Sequence, residues 1–265
     1  MMRKLLLATL ALATSAASAF AVEYEAGALH AIGEYGFGAP QVTRAAVLTP
    51  DYSNVTNFLG QGFVNGGAAL QGANTITRLV ADDVTPNGAD VGSDIVQVSF
   101  SVANFSAVPV TARARIRFWF PDGAGGGPGT YYNVPAAVGF TFSPFAFGPG
   151  VTLLTGTIGP GLFSMPGGTI WAGITFDDNN GTTGATLAQM NGLGQGFFDP
   201  PTVGSSADVA FQTQAAGSFF TIANPPGTLF NFSGQPVANF AWELVVDRPT
   251  PTHNVSWGRI KAMYR

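Results

Sequence analysis

Residues 94–120 read DIVQVSFSVANFSAVPVTARARIRFWF. On the first arm Val96, Val98, Phe100 and Val102 alternate with Gln97, Ser99 and Ser101. On the second, Val110, Ala112, Ala114, Ile116, Phe118 and Phe120 alternate with Thr111, Arg113, Arg115, Arg117 and Trp119. A period of two is the signature of a strand with one buried face. Two such arms around Asn104-Phe105-Ser106 predict a β-hairpin, with Ser101 opposite Thr111, Ser99 opposite Arg113 and Gln97 opposite Arg115. That register keeps every apolar residue on one side, and a slip of one residue would destroy it.

Working outward, further strands are expected at Val138–Phe142, Val151–Ile158, Thr169–Phe176, Asp208–Gln214, Ser218–Ala223 and Asn239–Val246, with another around Gln41–Leu48. Gly, Pro and Asn clusters separate them, among them Gly123–Gly129, Gly148-Pro149-Gly150 and Asn224-Pro225-Pro226-Gly227. Many short strands with such punctuation predict an all-β fold: an antiparallel, jelly-roll-like β-sandwich with long Gly/Pro-rich loops. One short helix is expected within Thr183–Asn191. The string LGQGF occurs at Leu59–Phe63 and again at Leu193–Phe197, as two equivalent turns of a duplicated sandwich or by chance in a Gly-rich chain.

The chain divides into a leader (1–21), a lead segment (22–50), a β-sandwich body (51–247) and a Pro-containing basic tail (248–265). The leader has Arg3 and Lys4, an apolar Leu5–Ala13, and two A-x-A sites ending at Ala19 or Ala21. That pattern predicts a signal peptide and export by the general secretory route, to the cell surface or the extracellular medium. No later run is long and apolar enough to span a bilayer. There is no cysteine, so disulfides are excluded. Without the leader, nine basic residues face fifteen acidic ones, which makes nucleic acid a poor partner. Five N-x-S/T sequons begin at Asn54, Asn104, Asn180, Asn231 and Asn254. They would be glycan acceptors in a eukaryotic secretory protein, but the leader has a bacterial look.

Between Arg117 and Arg248 there is no lysine, arginine or histidine, although seven acidic residues fall in that span. The only histidines, His30 and His253, lie in the lead segment and the tail, and no G-x-S-x-G elbow is present. A Ser-His-Asp triad is therefore not expected, and the inventory argues against an enzyme. The run Gly123–Gly129 lacks the lysine and following helix of a phosphate loop.

Three groups could bind something. Asp177, Asp178 and Asn180 could donate oxygens to calcium, or could form a solvated turn. A second acidic group, Asp82, Asp83, Asn87, Asp90 and Asp94, is placed in a loop that could hold calcium in the same way. Trp119 and Trp171 fall on the polar faces of their strands, where an indole could stack on a sugar ring unless a loop covers it. Trp242 alternates with Leu244 and Val246 and reads as core. The row Arg113, Arg115 and Arg117 could meet an anion, or could pair with acids on neighbouring strands.

The tail carries Trp257, Ile260 and Tyr264 at helical spacing, with Arg259, Lys261 and Arg265 beside them and Ser256 as N-cap, which reads as a frayed terminus or a recognition tag. Residues 256–265, SWGRIKAMYR, resemble a W-G-x-x-K-x-x-Y-R ending of uncharacterised secreted bacterial proteins. The layout of leader, Gly-rich β body and short tail is similar to exported proteins of the choice-of-anchor and PEP-CTERM type. The Pro-Glu-Pro motif of the latter is absent. The resemblance implies a location rather than an activity.

Lys261 is the only lysine after the leader. Lysine on edge strands is a common defence against edge-to-edge pairing. Its absence points to a non-catalytic structural or surface protein that associates with itself or with other cell-surface components. The alternative is a carbohydrate-binding or adhesive module, with polysaccharide as partner and calcium as its only candidate cofactor. A secreted hydrolase using distant carboxylates is a third reading.

Overall fold

The computed structural model describes residues 22–38, 41–42, 49–132, 138–216 and 223–248. Residues 1–21 and 43–48, all but the last residue of the expected strand Ser218–Ala223, and the tail with Trp257, Arg259, Lys261, Tyr264 and Arg265 lie outside them.

The described chain is an all-β sandwich of two antiparallel-rich sheets. The first sheet runs in the order β1 (Val22–Glu25), β11 (Val138–Thr141), β10 (Val110–Trp119), β14 (Ile170–Asp177), β8 (Val80–Val84), β16 (Ala210–Thr213) and β17 (Gly227–Phe230). Strand β12 (Phe145–Phe147) joins β10, and the pair β6 (Ala69–Gln71) and β7 (Asn74–Ile76) joins β14. The second sheet runs β2 (His30–Tyr35), β13 (Gly150–Thr157), β9 (Ile95–Asn104), β15 (Leu193–Phe198), β5 (Asn57–Val64) and β3 (Gln41–Val42). Strand β18 (Trp242–Val246) pairs with β9 and with β4 (Tyr52–Ser53). The lead segment thus supplies an edge strand to each sheet, and β1 lies parallel to β11.

The two arms of residues 94–120 are strands, as their alternation predicts, but they do not form a hairpin. Strand β9 belongs to the second sheet and β10 to the first. Val98, Phe100 and Val102 meet Val110, Ala112, Ala114, Ile116 and Phe118 in one buried cluster between the sheets. An alternating pattern demands a buried face, and a facing sheet satisfies that demand as well as an adjacent strand does. The crossing is fixed by Asn104, whose Nδ2 donates to Val108 O (2.8 Å) and Phe147 O (2.9 Å) while its Oδ1 accepts from Ser106 N (2.9 Å).

The two LGQGF strings are strands rather than turns, and they lie side by side in antiparallel pairing, with Gly196 opposite Gly62. Their glycines permit close approach of the two backbones: a Cβ on Gly194 would sit 2.0 Å from Phe63 O. The short helix is α1 (Leu187–Asn191), started by a capping box. Thr186 Oγ1 accepts from Gln189 N (3.3 Å), and Gln189 Oε1 accepts from Thr186 N (2.8 Å).

Candidate functional site

The outer face of the first sheet carries most of the residues singled out above. Across β10 and β14, Arg113 lies opposite Asp177, Arg115 opposite Thr175, Arg117 opposite Gly173 and Trp119 opposite Trp171. Residues two apart on a strand share a face, so the arginine row and both indoles stand on one surface.

The arginines are paired rather than presented. Asp177 accepts from Arg113 Nε (2.7 Å) and Nη2 (3.0 Å), and also from Arg115 Nη1 (3.1 Å). The Arg115 side chain is 3% exposed and Asp177 is fully buried. Arg117 Nη1 donates to Tyr131 Oη, and its guanidinium carbon lies 4.8 Å from the centre of the Tyr131 ring. An anion approaching this row meets guanidinium groups already held by a carboxylate and a phenol.

The tryptophans are covered, at 0% exposure for Trp119 and 2% for Trp171. The Gly-rich loop after β10 folds back over them. Trp171 Nε1 donates to Gly126 O (2.9 Å), and Tyr131 stacks on Trp119 with ring centres 5.7 Å apart. Leu79, Ala81 and Phe211 complete this second, smaller core on the outside of the sheet. Gly173 is required beneath it, since a Cβ there would come within 2.7 Å of the Trp119 ring. Neither ring offers a face for sugar stacking, which corrects that expectation in favour of its alternative: a loop covers both rings.

The carboxylates of the calcium candidates at residues 177–180 make bonds within the protein. Asp177 is occupied by two arginines and Asn179 N. Asp178 Oδ1 accepts from Thr75 N (2.9 Å) and Gly181 N (3.0 Å), and Asn180 N donates to Asn74 Oδ1. The left-handed Asn179 and Asn180 close this turn, in which Asp178 Oδ1 accepts from the Gly181 amide. Among the described residues no three acidic or imidazole side chains gather at one point.

At the Arg113 end of this face there is a notch. Strands β11 and β12 pair with the same edge of β10, at Arg115–Arg117 and at Val110–Ala112, and the chain between them loops out at Ser143-Pro144. The resulting cavity of about 380 Å³ is lined by Glu25, Arg113, Thr141, Ser143, Pro144 and Asn179. Asp177 takes Nε and Nη2 of Arg113 and leaves Nη1 outside that pair. Glu25 and Asn179 bring the notch an anion and an amide, which suits a neutral polar ligand better than a multiply charged one.

The second acidic group is split: Asp82 and Asp83 belong to a strand, while Asn87 and Asp90 lie in the loop after it. Asp82 and Asp83 lie in β8 and point to opposite faces. Asp82 faces the main core, where its Oδ2 accepts from Phe240 N (2.7 Å). Asp83 accepts from Ala207 N at 3.0 and 3.1 Å and from Ser206 Oγ at 3.3 Å. Asn239 Oδ1 lies 3.1 Å from the same Ser206 hydroxyl and shares its one proton with Asp83, Asn239 Nδ2 donates to Asp199 Oδ1 (2.8 Å), and Asp208 Oδ1 accepts from Ala238 N (2.8 Å). Four aspartates thus staple residues 206–207 and 238–240 to the body. Burial, reinforced by the Asp83 charge, holds the Asp82 carboxyl well above the usual carboxylate range. Burial raises Asp83 as well, and burial followed by both aspartates raises the Tyr52 hydroxyl. The only trace of this in the sequence is an acid two places after Val80, in a stretch too short to establish alternation.

No family model, curated protein or solved structure matches this chain.

Proposed function

We propose that the chain is an exported, non-catalytic structural protein of the cell surface or extracellular matrix, and that copies of it associate through the edge of the first sheet. The observation that carries this reading is the composition of that edge. Strand β17 ends the sheet, with no further strand beside it among the described residues. Residues 209–242, which include β16 and β17, contain no charged side chain. An edge without charge, proline or bulge is open to strand addition by a second copy. Light scattering and electron microscopy of the secreted protein test it. Concentration-dependent association is expected, and it should weaken in Thr228→Lys, which places a charge at an exposed position of β17. A monodisperse monomer at high concentration would sink the proposal.

A second reading, binding of a neutral saccharide, is favoured by the notch rather than by the tryptophans. Its walls combine a guanidinium, a carboxylate, hydroxyls and an amide around a volume suited to one or two sugar rings. Asn179→Gly keeps the left-handed backbone and removes the amide. If glycan-array binding exists and survives both Asn179→Gly and Glu25→Gln, it does not occur at the notch.

A further inference from the structure

Asp82 occupies a place where a carboxylate is hard to keep. It is fully buried on the inner side of β8, with Ala172 of β14 and Ala210 of β16 beside it in register. Its Oδ2 has one partner, the Phe240 amide, and its Oδ1 has none. The Phe240 carbonyl accepts from Asn54 Nδ2 (3.1 Å), and Asn54 N donates to Trp242 O (2.8 Å). The Phe240 peptide therefore joins Asp82 of the first sheet to the β4–β18 corner of the second.

The groups facing Asp82 offer no positive charge. From β8 comes Asp83, which lies on the other face but close enough to act on it. From β4 comes Tyr52, buried, with a hydroxyl that has no partner. From the 199–208 loop comes Ser206, and the aspartates of that loop, Asp199 and Asp208, are bound to Asn239 and Ala238. Segment 238–240 carries no charge. Among the described residues no arginine bonds to Asp82 or Asp83, and Arg248, at this end of the chain, is held by Asp90. An ionised Asp82 would be a buried charge with one hydrogen bond and a like charge nearby, the arrangement that costs most in a protein interior.

We propose that Asp82 is a proton-held clasp between the two sheets, closed while its carboxyl is neutral and loosened when it ionises. The clasp rests on the fold alone and is independent of the self-association reading. The sign follows from linkage. The raised Asp82 binds its proton more tightly in the folded chain than in the unfolded one. Its stabilisation is therefore complete below the ordinary carboxylate range and is lost as pH rises through the folded value. An exported chain built this way holds its sheets together most firmly in acid.

The test is urea denaturation of the secreted chain at a series of values between about pH 4 and about pH 9. The midpoint is expected to fall steadily as pH rises. Asp82→Asn, which keeps the shape and cannot ionise, should flatten the dependence and exceed the wild type at the alkaline end. A wild-type midpoint that is flat or rises with pH overturns the clasp, and so does an Asp82→Asn variant that keeps the wild-type slope. Should that variant fail to fold, infrared spectroscopy of the wild type decides. A protonated carboxylic-acid carbonyl band at neutral pH, lost on alkaline titration together with the near-ultraviolet signal of the buried aromatics, is expected, and its absence overturns the proposal.

Discussion

Asp177 holds two guanidinium groups at once, on a strand that also carries the edge of the turn at residues 178–181. Its loss would remove the buried carboxylate that Arg113 and Arg115 share. We expect Asp177→Asn to cost about 3–5 kcal/mol, the range for breaking a buried pair by removing one partner, measured as a shift in urea midpoint. The two tryptophans make a contrasting prediction. Because Trp171 packs under the loop and against Phe211, Trp171→Ala should destabilise the fold by about 3–5 kcal/mol. Equilibrium unfolding would read that change directly. A variant as stable as the wild type would mean that the ring is not covered.

At the level of elements, the paired LGQGF strings show how two strands are fitted by their smallest residues. Alanine at position 194 has no room before the Phe63 carbonyl. Gly194→Ala is expected to push β5 from β15, seen as faster hydrogen exchange along both strands while β10 and β14 keep their protection. The helix is a lesser case. It is five residues long and relies on its capping box, so Thr186→Ala should cost about 0.5–2 kcal/mol without changing the sheets.

For the whole molecule, connectivity matters most. Strand β9 is flanked by β13, β15 and β18, which arrive from far along the chain. The last of these brings Trp242 and Leu244 into the main core, and the Phe240 that precedes it caps Asp82. A chain cut after residue 239 loses a central pairing partner, the main-core side chains Phe240, Trp242, Leu244 and Val246, and the clasp together. We expect no cooperative unfolding transition from it, by calorimetry or by tryptophan fluorescence, because such long-range pairings stabilise the sheet only when all are present.

From the order of residues alone came the β class, the strands β9, β10, β11, β13, β14, β16 and β18, and the helix. Those depend on local periodicity, turn chemistry and capping, which are written in neighbouring residues: Val96 to Val102 alternate whatever they face. The pairing of Arg113 with an acid on a neighbouring strand was also among the readings the sequence allowed. Which partner each strand took was a tertiary decision. The arms of 94–120 chose facing sheets over adjacency because either arrangement buries the same apolar side. The Gly-rich loop became a lid because its carbonyl at Gly126 could reach an indole 45 residues away along the chain. Asp82 became a core carboxyl because β8 entered the sheet with that residue turned inward, and alternation in a five-residue strand was too short to say so in advance.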